Sequence, residues 1–64
     1  MIFYEYKLPA WTKWRAMSLA THEPIGEAET DEYRKSIAAR LTRETKSPHD
    51  WRDVSIRTTT ADNR

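Results

Sequence analysis

The chain of 64 residues has no cysteine and a single glycine, and each scarcity excludes a class of site. Without cysteine there are no disulfides and no thiolate metal sites to stabilise so small a domain. One glycine, Gly26, is too few for the glycine-rich loops that bind phosphates. No apolar run reaches the roughly 18 residues that span a bilayer, and Glu5 and Lys7 interrupt any secretory signal. A cytoplasmic location is therefore the default expectation.

The chain also lacks a strong net charge. Eleven Lys and Arg residues balance ten Asp and Glu residues, which leaves a formal charge of +1. This balance argues against a protein that coats DNA or mimics it. The signs are nevertheless segregated: residues 23–32 contain five acids and no base, and residues 33–46 contain five bases and one acid.

Catalytic patterns are weak. His22 and His49 are each followed by an acid, but both lie beside a proline in predicted loops, where solvated histidines are the simpler interpretation. No nucleophile elbow and no zinc-binding His-Glu-x-x-His motif occurs. A chain of this size also has little room for a typical ligand pocket of about 300–1,000 Å³. We therefore expect a protein that is not an enzyme and that uses no cofactor and no metal.

Aromatic residues are concentrated at the N-terminus, where five of the seven fall within the first fourteen positions. Residues 2–8 place Ile, Tyr, Tyr and Leu at even positions and Phe, Glu and Lys at odd ones, which predicts a strand with one buried face. Pro9 is expected to end it.

Residues 10–22 fit two structures. As a strand, the segment places Arg15, Met17, Leu19 and Thr21 on one face and the intervening residues on the other. As a helix, it would align Ala10, Trp14, Met17 and Thr21 and give a β-α-α-β order. The strand is favoured, because a hairpin through residues 9–12 supplies a partner for the first strand at low loop-closure cost.

One helix and one further strand follow a break at residues 22–26. Thr30 is the predicted N-cap of the helix. Its predicted apolar stripe consists of Tyr33, Ile37 and Leu41. Ser47-Pro48 is predicted to end the helix. Residues 51–59 form the last predicted segment, in which residues 54, 56 and 58 alternate with polar positions. Residues 60–64 lack an apolar anchor and are expected to be a frayed tail.

These elements predict an α+β fold with one domain at residues 1–59, in which a single helix packs on one face of a three-stranded sheet in the order β-β-α-β. The predicted core comprises Ile2, Tyr4, Tyr6, Leu8, Met17, Leu19, Tyr33, Ile37, Leu41, Val54 and Ile56. The uncovered face is expected to carry Phe3, Glu5, Lys7, Trp14, Ala16, Asp53, Ser55 and Arg57.

Aromatics left over from the core suggest a contact surface, since exposed apolar patches mark interfaces and Trp, Tyr and Arg dominate binding hot spots. The expected function is a small protein–protein interaction module that also self-associates, as a homodimer, through the aromatic sheet face. Its predicted contact residues are Phe3, Trp11, Trp14, Arg15 and Arg57. Trp51 is expected to pack against the end of the helix.

The alternative function is nucleic-acid binding, in which aromatic side chains stack on bases and basic residues contact phosphates. Its candidate residues are Lys7, Lys13, Arg34, Arg40 and Arg43. In element order and size alone, the chain is similar to small phage-encoded proteins that occlude host enzymes, such as polymerase inhibitors and anti-CRISPR proteins. That resemblance implies an accessory or inhibitor protein and assigns no residue a role.

Overall fold

The computed structural model describes residues 1–60 and confirms a small α+β domain. Strand β1 spans Ile2–Lys7, β2 spans Arg15–Thr21 and β3 spans Ser55–Thr60. Helix α1 spans Glu27–Thr45, and a short 3-10 helix spans Trp51–Asp53. The order of strands and helix is the predicted β-β-α-β.

The three strands form one antiparallel sheet in the order β2-β1-β3. Between β1 and β2 the register shifts, since Phe3 pairs with Ala20 but Glu5 pairs with Ala16. The step of two residues from Phe3 to Glu5 on β1 therefore corresponds to a step of four residues from Ala20 to Ala16 on β2. Because the two extra residues are an even number, side chains on both sides of the irregularity keep their faces.

The ambiguous segment at residues 10–22 is a strand from Arg15 onward. Met17, Leu19 and Thr21 are half-buried, whereas the residues between them are exposed, which is the alternation expected of a strand with one covered face. Pairing with β2 and β3 saturates both edges of β1, so the aromatic N-terminal strand becomes the centre of the sheet.

The core lies between the sheet and α1. Its buried side chains are Tyr4, Tyr6, Leu8, Ile37, Ala38, Leu41 and Val54. Five other predicted core residues are only half-buried: Ile2, Met17, Leu19, Tyr33 and Ile56. Since α1 packs against the 3-10 helix and β3, its contact with the sheet is strongest on the side away from β2.

The predicted start of α1 is wrong by four residues, whereas its C-cap lies directly before the predicted stop at Ser47-Pro48. Gly26 is the N-cap, with φ −75° and ψ 169° and no side-chain hydrogen bond to the helix. The predicted cap Thr30 lies inside the first turn, where its backbone N–H and its hydroxyl both donate to the Gly26 carbonyl, at 2.9 and 2.8 Å. The helix ends at Thr45, before Ser47-Pro48, because Lys46 adopts the left-handed conformation at φ 57°.

The segment that follows is only partly the predicted strand. Trp51–Asp53 is a 3-10 helix whose N-cap, Asp50, accepts a hydrogen bond from the Arg52 backbone N–H at 2.9 Å. Asp53 therefore does not lie on the sheet face, contrary to the sequence-based prediction. Trp51 packs half-buried against the core, with the Lys35 ammonium 5.3 Å from its ring centroid. Thr60 belongs to β3 rather than to a tail, and residues 61–64 lie outside the described residues.

Candidate protein-binding surfaces

Among residues 1–60, no helix covers one of the two faces of the sheet, and we call that face the open face. The pairing of β1 with both neighbours places the odd-numbered residues of β1 there, together with their partners on β2 and β3. The open face comprises Phe3, Glu5, Lys7, Ala16, Ala20, Ser55, Arg57 and Thr59, with Trp14 lying over one end.

Trp14 is held on the open face by stacked charges. The Arg57 guanidinium carbon lies 4.2 Å from the Trp14 ring centroid, and the Lys7 ammonium lies 5.9 Å from it. Arg57 is itself oriented by Glu5, to which its Nε donates at 2.8 Å. Because the partly exposed ion pair contributes little alone, we attribute its role to fixing the guanidinium over the indole. The result is an aromatic and charged patch at one end of the open face.

Phe3 forms the apolar part of the open face. Its side chain is 42% exposed, which is unusual for a phenylalanine in a central strand. Its sheet partners are Ala20 on β2 and Thr59 on β3, both too small to cover the ring. Phe3 therefore protrudes from a flat surface of small side chains. Sequence patterns could not identify Ala20 and Thr59 as its neighbours, because the register is set by tertiary pairing.

The remaining predicted contact residues, Trp11 and Arg15, lie on the opposite side of the sheet. The Trp11 ring packs against Tyr6 with centroids 5.6 Å apart, and Arg15 covers Trp11 at 4.1 Å. Since Tyr6 is buried and faces α1, Trp11 belongs to the rim of the core. The structure thus brings together Phe3, Trp14 and Arg57 and separates them from Trp11 and Arg15.

Two of the five candidate nucleic-acid contacts already serve the fold. Arg34 donates from Nε to the Val54 carbonyl at 3.0 Å and pairs with Asp31 at 2.6 Å, which ties α1 to the start of β3. Lys7 donates to the carbonyl oxygens of Leu8 and Trp11 at 3.3 and 2.9 Å, which fixes the loop between β1 and β2. Binding phosphates with either residue would cost these contacts.

The other three basic candidates, Lys13, Arg40 and Arg43, are exposed. Arg40 lies 3.4 Å from the Tyr6 hydroxyl, to which it donates. Arg40 and Arg43 lie together on α1 above the β2 edge, whereas Lys13 lies in the β1–β2 loop. The five residues therefore do not form one continuous basic surface.

A cleft of about 420 Å³ separates β2 from α1, on the side from which the helix is displaced. Met17, Leu19, Tyr33 and Ile37 provide its apolar walls, and Arg40 and Arg43 line its α1 side. The volume falls within the usual range for ligand pockets, contrary to the expectation from chain length. The cleft explains why several predicted core residues are only half-buried.

The histidines show no catalytic arrangement with their neighbouring acids. His22 is exposed, and the ring Nδ1 of His49 lies 2.7 Å from the Ser47 carbonyl rather than beside Asp50. Within residues 1–60 there is no group of three or more potential ligands placed to hold a metal ion. In the same residues no helix has the length and apolar character needed to cross a membrane.

Comparison with known protein families, with curated proteins and with solved structures gives no match for this chain.

Proposed function

We propose that the protein is a non-enzymatic protein–protein interaction module whose open face is the contact surface for a partner protein. The observation that carries this proposal is Phe3, which projects 42% exposed from the central strand of the open face. Aromatic anchors surrounded by small or polar residues are typical of binding hot spots.

Trp14 and Arg57 support the same proposal. A guanidinium held over an indole presents a preorganised surface, so little side-chain entropy is lost when a partner covers it. Glu5 keeps Arg57 in place before binding, at an Nε–Oε1 distance of 2.8 Å. We expect a partner that places an apolar side chain against Phe3 and an acceptor against the outer edge of Arg57.

The size of the open face limits the kind of complex. Three strands at about 4.8 Å spacing and six residues at about 3.3 Å give a planar area of roughly 14 × 20 Å, or about 280 Å². Stable complexes bury about 800 Å² per partner. The open face alone therefore fits a transient contact, or a larger one that also includes the β1–β2 loop. An accessory or inhibitor protein that covers part of a larger enzyme would suit either case.

Nucleic-acid binding has less support. One face of the Trp14 ring is covered by Arg57, so a base can stack only on the other, and Arg34 and Lys7 are engaged within the fold. Phosphate binding would also make the affinity fall steeply with salt, a behaviour that oligonucleotide titrations at two salt concentrations would reveal.

The test compares the same substitution at two exposed alanines. Ala20→Asp puts a charge beside Phe3 on the open face, whereas Ala28→Asp puts it on α1, where an acid in the first turn is tolerated. Each variant, and Phe3→Ala, is used as bait in a lysate of the source cell, with captured proteins identified by mass spectrometry.

A true partner is retained by the parent protein and by Ala28→Asp and is lost with Ala20→Asp and Phe3→Ala. Equal capture by all four baits would overturn the assignment of the open face. Sedimentation of the same variants tests self-association through this face, since Ala20→Asp would then shift a dimer to monomer.

A further inference from the structure

Helix α1 exposes a stripe of charges arranged symmetrically about its centre. We call Glu29, Glu32, Ser36, Arg40 and Arg43 the helix stripe; all five are exposed. Glu32 and Arg40 lie four residues on either side of Ser36, and Glu29 and Arg43 lie seven residues on either side. At 3.6 residues per turn, offsets of four and seven fall on one side of a helix.

This arrangement is self-complementary, and we propose that a second copy of the chain binds along it. In a symmetric dimer two copies of α1 would pack antiparallel, with the two-fold axis beside Ser36. Such an axis brings each residue of one helix opposite the residue of the second copy that lies equally far on the other side of Ser36. Glu29 then faces Arg43 of the second copy, and Glu32 faces its Arg40, so the dimer contains four oppositely charged pairs.

Side-chain sizes are complementary under the same symmetry. Ser36, at the axis, is small enough to allow the close approach of about 8–10 Å between packed helices. Tyr33 is half-buried beside the cleft, and it would lie opposite Ala39 of the second copy, because the two lie three residues before and after Ser36. At two symmetry-related positions Tyr33 thus packs against a small Ala39 side chain, and the dimer buries Tyr33 surface that is exposed in the single chain.

The helix macrodipole does not account for the whole stripe. It favours acids in the first turn and bases in the last, which explains Glu29 and Arg43. Glu32 and Arg40 lie nearer the middle of the 19-residue helix, beyond the reach of that effect. An antiparallel helix partner would give these two charges a further role beyond their contacts with Lys35 and Tyr6.

The stripe charges are available for such contacts. Glu29 and Arg43 make no ion pair within residues 1–60. Glu32 pairs with Lys35 at 3.3 Å, but the two side chains are 74% and 52% exposed, so the pair is weak and exchangeable. Arg40 contacts Tyr6 weakly, through a long hydrogen bond of 3.4 Å to the hydroxyl and with its guanidinium carbon 6.0 Å from the ring centroid.

This interface is independent of the proposed function. It uses the helix, and it leaves the open face on the far side of each sheet uncovered. The dimer would present two open faces, one on each outer side, and a partner with two matching sites would bind it with increased avidity.

Charge reversal provides the test, with sedimentation equilibrium as the readout. Arg43→Glu places two carboxylates opposite each other at both symmetry-related sites, and Glu29→Arg places two guanidinium groups there. Each variant alone should dimerise about tenfold or more weakly than the parent protein. An equimolar mixture of the two should regain dimer, since every contact in the heterodimer joins opposite charges. Glu29→Arg/Arg43→Glu should recover it likewise.

Matched controls separate this interface from other effects. Lys13→Glu makes the same reversal on an exposed loop residue outside the stripe and should leave the dimer unchanged. Circular dichroism checks that each variant folds; if one does not, Arg43→Gln removes the attraction without adding repulsion and should weaken the dimer about threefold.

Three results would overturn the proposal. The first is a parent protein that stays monomeric at millimolar concentration. The second is a mixture of Arg43→Glu and Glu29→Arg that dimerises no better than either variant alone. The third is a dimer lost with Ala20→Asp but unaffected by charge reversal, which would place self-association on the open face. If Ala20→Asp and Phe3→Ala lose the captured partner but still dimerise, the result supports a dimer interface that is separate from the open face.

Discussion

Replacing Gly26 by serine is expected to stabilise the protein, because the N-cap of α1 has the required backbone geometry but no capping side chain. At φ −75° and ψ 169° any residue is accommodated, and a Cβ atom built on Gly26 meets no atom within 4 Å. A serine hydroxyl at this position would accept a hydrogen bond from the backbone N–H of Ala28 or Glu29.

The expected gain has two parts. Serine exceeds glycine as an N-cap by a few tenths of a kcal/mol, and loss of glycine's freedom in the unfolded chain adds about 0.4–1 kcal/mol. The sum is about 1 kcal/mol, or a rise of about 4–8 °C in the melting temperature of a domain this small. Gly26→Ala is the matched control, because it also restricts the unfolded chain but has no side chain that caps the helix. Its free energy of unfolding should be about 1 kcal/mol lower than that of Gly26→Ser.

Thr30→Ala distinguishes the observed helix start from the one that the sequence predicts. As an N-cap, Thr30 would lose about 0.5–2 kcal/mol on substitution by alanine. Inside the first turn, its hydroxyl only adds a second bond to the Gly26 carbonyl, and alanine's helix propensity offsets that loss. We expect a change within about 0.5 kcal/mol by urea denaturation. A neutral Gly26→Ser together with a costly Thr30→Ala would refute a helix that starts at Glu27.

Two further substitutions probe the connections at either end of α1. Tyr4→Phe should lower the free energy of unfolding, measured by urea denaturation, by about 1–2 kcal/mol. The reason is that the Tyr4 hydroxyl forms a hydrogen bond with Thr21 Oγ1 at 2.8 Å and accepts one from the Ile25 N–H at 3.3 Å. An unchanged denaturation midpoint would contradict this role. Lys46→Gly should stabilise by about 1 kcal/mol in thermal unfolding, since φ 57° is unfavourable for lysine and not for glycine; a lower melting temperature would show that the left-handed conformation is not maintained.

The alternation of residues predicted most of the fold. Even and odd positions of β1 identified both sheet faces, and the i, i+4 spacing of Ile37 and Leu41 identified the buried side of α1. The start of the helix was missed because a glycine cap leaves no side-chain signal, while Thr30 offers a conventional one. The 3-10 helix was missed because Asp50 caps it through a local bond that strand periodicity does not reveal.

The residues of the proposed contact surface were only partly predictable from the sequence. Phe3 and Trp14 were assigned to the uncovered face by parity, and the structure places them there. The sequence predicts Trp11 as a contact residue, because nothing in it shows that the β1–β2 loop folds back and packs the Trp11 ring on Tyr6. Likewise, the bond from Arg34 to the Val54 carbonyl joins residues 20 positions apart, and only tertiary structure brings them together.

The central position of β1 has a consequence for the order in which the chain can fold. β1 and β2 are neighbours in sequence and can form a hairpin early, but β1 also pairs with β3, where Glu5 meets Arg57 across 52 positions. Contacts of that span form slowly, because a long loop has to close first. Until β3 is synthesised and docks, one edge of β1 stays unpaired and open to other chains. We therefore expect the nascent protein to be most prone to aggregation after the β1–β2 hairpin has formed and before β3 has docked.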